Sequence, residues 1–151
     1  MDKDVLNNSG RVQKGIQAIK NMNLDNVLGR LQQPAPRGMG WTNDEATEAD
    51  KWYRRFLLIS LKYPGLGIVP SGQIDELWHA HILDMRKYEQ DTTQIFGKVL
   101  YHKPALEDDD LQPQVAKTHA LFVAEFGESF VGKAATCDNM CSSDDGGGDD
   151  E

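Results

Sequence analysis

Ile74-Asp75-Glu76-Leu77-Trp78-His79-Ala80-His81-Ile82-Leu83-Asp84-Met85-Arg86-Lys87-Tyr88 decides how this chain is read. Apolar side chains recur at Ile74, Leu77, Trp78, Ile82, Met85 and Tyr88, in steps of mostly three and four, which places them along one face of an α-helix. His81 lies near the centre of that stripe and so faces a core. At ~100° per residue His79 points ~160° away from it, on the side that carries Asp75 and Arg86. The two histidines therefore have different jobs.

The same periodicity continues outward. This helix is expected over residues 72–96, with Ser71 as its cap and Gly97 as its end. Tyr63-Pro64-Gly65-Leu66-Gly67 stops a preceding helix that Thr42 and Glu45 open as a capping box. Phe56-Leu57-Leu58-Ile59 is its core segment. Upstream, residues 12–31 carry apolar positions at mostly helical spacing, with Asp25 a candidate cap for a second short helix. Residues 33–40, with two prolines and two glycines, form a connector. Residues 111–126 make a last helix, with Pro113 in its first turn and Gly127 beyond its end. No stretch sustains a period of two. The chain reads as all-α, a compact bundle of four to five helices. Residues 1–10 are read as a flexible N-terminus, 11–132 as the helical domain, and 133–151 as a disordered acidic tail bearing Cys and Gly.

Three of the four histidines fall between residues 79 and 102, and imidazole is the commonest metal-ligating side chain. Asp75 and His79 are one helical turn apart. His102, just before Lys103-Pro104, sits near an element boundary from which it can fold back on the motif helix. Asp75, His79 and His102 are the candidate ligands. His81 joins them only through a local helix distortion or a site shared by two chains. Otherwise it is a buried imidazole satisfied by a neighbouring helix, or a general base. For His79 and Asp75 the plain alternative is a packing latch for the loop of His102. Trp78 and Tyr88 suit a helix–helix core in support of the site, and His119 is surface or ordinary packing. Two imidazoles and one carboxylate suit iron, with zinc and copper also compatible. The chain has no third glycine around Gly65-Leu66-Gly67, no phosphate loop and no nucleophile elbow, which excludes a nucleotide cofactor and a triad hydrolase.

The net charge of −8 is uneven. Six acids and no base follow Lys133, whereas residues 1–137 hold all 16 bases against the other 18 of the 24 acids. That body offers no footprint for nucleic acid, and no apolar run approaches a membrane span. Met1-Asp2-Lys3-Asp4 lacks the order of a secretory signal, so a cytoplasmic location is expected. Cys137 and Cys141 are read as exposed tail thiols, or alternatively as a redox pair or half a metal site. Glu107-Asp108-Asp109-Asp110 is a solvated acidic loop without a calcium-loop pattern.

Trp52-Tyr53-Arg54-Arg55-Phe56, Tyr63-Pro64-Gly65, Val69-Pro70-Ser71, the 75–83 block, Lys87-Tyr88, Ile95-Phe96-Gly97 and 100–104 follow one another in an order that resembles the glycine-rich domain-containing protein-like family, over roughly residues 20–140. That family spans short bacterial members and longer plant proteins linked to stress and development, and the resemblance implies no general reaction. Thr92 follows Asp91 where many relatives carry Cys, and the tail is richer in Asp than in Gly. Three functions follow from the residues: a metal-binding protein acting as a small oxidase or oxygenase; a non-enzymatic module for an unidentified protein or small-molecule partner; or a carrier displaying the Cys-bearing tail. A homo-oligomer is compatible with each.

Overall fold

A computed structural model describes residues 3–70, 72–102 and 112–129. Among them are six helices and no strand: α1 (Lys3–Asn21), α2 (Asp25–Gln32), α3 (Asn43–Lys62), α4 (Gly72–Leu83), α5 (Met85–Phe96) and α6 (Gln112–Phe126). The all-α expectation holds. Four or five helices become six because residues 12–31 and 72–96 each divide in two. Ser71, the acidic run 107–110, and the tail with Cys137 and Cys141 lie outside the described residues.

α3 is the central element, packed on α1, α2, α4 and α6. Its start follows from local chemistry. Thr42 Oγ1 accepts from the Glu45 N–H at 3.1 Å, and the Glu45 carboxylate accepts from the Thr42 N–H at 2.9 Å. Two amides that the helix leaves unpaired are thereby satisfied. Tyr63 ends the helix, and Pro64 cannot continue it. Between these ends, Ala49, Trp52, Tyr53, Phe56, Leu57 and Ile59 are almost fully buried.

α1 begins at Lys3, well before the helical run expected from Val12. Arg54 closes its other end. The guanidinium donates to the carbonyls of Ile19 and Met22 while Asp50 holds it from one turn back, supplying partners that terminal carbonyls otherwise lack. Asp25 is the first residue of α2 rather than its cap. The preceding Asn23 accepts the Asp25 N–H through Oδ1 at 2.8 Å.

The helix expected over 72–96 breaks at Asp84, whose backbone (φ −89°, ψ 72°) leaves helical geometry. Short polar side chains favour helix ends over interiors, and here the Asp84 carboxylate reaches 3.6 Å from Arg30 of α2. The apolar stripe accordingly stops at Ile82. Met85, expected on it, is 76% exposed beside Leu83 at 78%, while Tyr88 remains buried. α6 carries Pro113 in its first turn and ends at Gly127, whose left-handed backbone (φ 74°) lets its N–H reach the Val123 carbonyl. Phe122 plugs it into α3 beside Trp52.

Candidate metal centre

α4 presents Asp75 and His79 one turn apart at its outer edge, and the segment after α5 brings His102 up to them. His102 Nε2 lies 3.0 Å from Asp75 Oδ1 and 3.0 Å from His79 Nε2, and His79 Nε2 lies 3.5 Å from Asp75 Oδ2. One donor atom from each residue falls within 4.8 Å of the others, a group able to hold a metal ion. Bonds of about 2.0–2.1 Å in a tetrahedral shell set donor–donor edges at roughly 3.3 Å. The His79–His102 separation of 3.0 Å and the approach of each imidazole to its own oxygen of Asp75, at 3.0 and 3.5 Å, are of that size. His102 and Asp75 are mostly covered, and His79 is half exposed.

The contacts make a poor set of ordinary hydrogen bonds. His102 Nε2 meets a carboxylate oxygen and another imidazole nitrogen at the same distance, and a single N–H points well at only one acceptor. A cation between three electron-rich atoms satisfies all of them at once.

Trp78 and Tyr88 back this group. The Trp78 ring packs 4.3 Å from that of His102. Its Nε1–H donates to the Tyr88 hydroxyl at 2.9 Å, and that hydroxyl donates to the Leu100 carbonyl two residues before His102. Burial raises the Tyr88 phenol above its ordinary pKa, opposed by the Trp78 hydrogen bond.

His81 is elsewhere. Fully buried, it accepts or donates at both ring nitrogens: Nδ1 is 2.7 Å from the Tyr53 hydroxyl and Nε2 is 2.8 Å from Asp91 Oδ2. A carboxylate only accepts, so Nε2 carries the proton and Nδ1 takes the Tyr53 O–H. Lys87 supports Asp91 at 3.0 Å. Burial lowers the His81 pKa, with the Asp91 hydrogen bond pulling the other way, and burial pushes Tyr53 well up. The arrangement matches the expected buried imidazole satisfied by a neighbouring helix. It does not join the metal group.

Tyr53, Asp91 and Lys87 escape sequence reasoning, since Tyr53 is one core aromatic among many and Asp91 meets His81 only because of the break at Asp84. Arg86 is a correction: the break carries it into α5, where it is exposed, so it does not share a helix face with His79. His119 is exposed, as expected.

No curated protein and no solved structure matches the chain. A family match covers residues 15–120 and corrects the resemblance to the glycine-rich domain-containing protein-like family. The short motifs behind that resemblance are explained by local physics. Tyr63-Pro64-Gly65 is a helix stop, and Trp52, Tyr53 and Phe56 are core residues; such requirements recur across unrelated bundles. On this match the chain belongs to the UCP032817-like family.

Proposed function

We propose that the chain is a metal-binding helical protein in which Asp75, His79 and His102 hold one transition-metal ion, used as a small metal-dependent oxidase or oxygenase. The observation that supports this is the convergence of two imidazole nitrogens on the Asp75 carboxylate, one at each of its oxygens, at 3.0–3.5 Å on a half-exposed edge of α4. Two histidines and one carboxylate with further positions open make a donor set suited to ferrous iron and oxygen chemistry. Zinc and copper also accept these donors.

Titration of metal-free protein with iron(II), copper(II) and zinc(II) tests the reading. One equivalent is expected to bind tightly, to be lost in His79→Ala and His102→Ala, and to be kept in His119→Ala. Coordination requires neutral imidazoles, so the metal is expected to be released on acidification. Oxygen consumption by the iron- or copper-loaded protein then tests the reaction. Binding below one equivalent for every metal, or binding indifferent to both ligand substitutions, would leave the non-enzymatic interaction module as the better account. Tight binding of zinc alone would remove the oxidase.

A further inference from the structure

We infer that Tyr88 is the positioning residue of the metal centre, setting its affinity from outside the ligand set; the inference rests on the metal reading above. Asp75 and His79 are built into one helix, and their spacing is fixed by it. His102 is not in a helix and is brought in by the segment that follows α5. Whatever holds that segment therefore decides whether a third donor is in place.

Val99 and Leu100 pack that segment on the core, and the two polar contacts that orient it next to His102 both run through one oxygen. The Tyr88 hydroxyl donates to the Leu100 carbonyl, fixing the backbone two residues ahead of His102. The same oxygen accepts from Trp78 Nε1, locking the indole that packs, tilted, 4.3 Å from the His102 ring. The phenol is itself packed in: Tyr88 is buried, and its ring meets the buried His81 ring edge-on at 5.0 Å. A fixed oxygen thus orients His102 from two directions, along the chain and across the ring. Groups beyond the ligands that orient them commonly change metal affinity 10–100-fold when removed.

Tyr88→Phe removes that oxygen and little else. Zinc titration is expected to show affinity at least about tenfold weaker, with the stoichiometry still one. In the cobalt-loaded protein the ligand-field bands are expected to shift. Tyr53→Phe is the comparison, because it deletes another buried hydroxyl that bonds His81 and not the segment of His102. Its affinity and cobalt spectrum are expected to match the unsubstituted protein under conditions where both variants are fully folded. Trp78→Phe, which keeps a ring against His102 but loses the N–H donor, is expected to weaken zinc in the same direction and serves if Tyr88→Phe does not fold. Unchanged affinity in Tyr88→Phe, or equal weakening in Tyr53→Phe, would overturn the inference while leaving the metal centre standing. Failure of the unsubstituted protein to bind zinc or cobalt would remove both.

Discussion

Replacing His81 with alanine is expected to destabilise the fold by about 3–5 kcal/mol, combining the cavity with the loss of partners for two other groups. Tyr53 is fully buried and loses the acceptor of its hydroxyl, and Asp91 loses its imidazole donor. The Tyr53 hydroxyl has no solvent contact to take over, whereas Asp91, at the edge of the core, keeps Lys87 at 3.0 Å. Urea denaturation at neutral pH measures the cost, and a loss below about 1 kcal/mol, the worth of one ordinary hydrogen bond, would contradict the assigned network. The cost is also expected to depend on pH. Burial holds the folded-state pKa of His81 below its ordinary value of 6.5, so below that value the unfolded chain binds a proton that the folded chain resists. Stability from this group is full above 6.5 and falls on acidification. His81→Ala lacks that dependence, so the gap between the two proteins is expected to narrow as the pH drops below 6.5. A gap that widens on acidification would mean that Asp91 outweighs burial.

Gly15→Ala is expected to destabilise by about 1–3 kcal/mol, the usual cost of overpacking, against the normal trend for a helix. Alanine is favoured over glycine in helices by up to ~1 kcal/mol. At Gly15, however, an added Cβ would stand 2.5 Å from Leu61 Cδ2 and 2.6 Å from the Ile95 carbonyl oxygen. Leu61 can shift; the α5 backbone cannot without moving the helix. Gly10 lies in the same helix with nothing within 4 Å of its Cβ position, and Gly10→Ala is expected to be neutral or mildly stabilising. Denaturation midpoints that move the same way for both would show that α1 does not pack this closely on α3 and α5.

What was legible in the chain is what depends on neighbours in sequence. The box at Thr42 and Glu45, the stop at Pro64 and the turn at Gly127 each rest on a few adjacent residues. The opposite faces of His79 and His81 follow from helical rotation alone, and that reasoning holds because both precede the break. It fails for Met85 and Arg86, which follow it. Asp84 looks like any surface acid in a helical pattern, and nothing adjacent to it marks the break; its ion-pair partner Arg30 lies fifty-four residues earlier in the chain. The donors Asp75, His79 and His102 could be named from residue type and spacing. Their convergence could not, because it depends on where the segment after α5 returns to α4, which no local pattern specifies.

On an unbroken helix, His81 and Asp91 would stand ~15 Å apart along the axis; with α5 redirected at Asp84, they touch at 2.8 Å. The corner between the two helices is therefore closed by a side-chain clasp ten residues long. Opening it exposes the clasp and the Tyr53 hydroxyl together, so α4 and α5 are expected to open as one cooperative unit in native-state amide exchange, with protection close to that of global unfolding. Slow exchange in α4 alongside fast exchange in α5 would show that the corner behaves as a hinge.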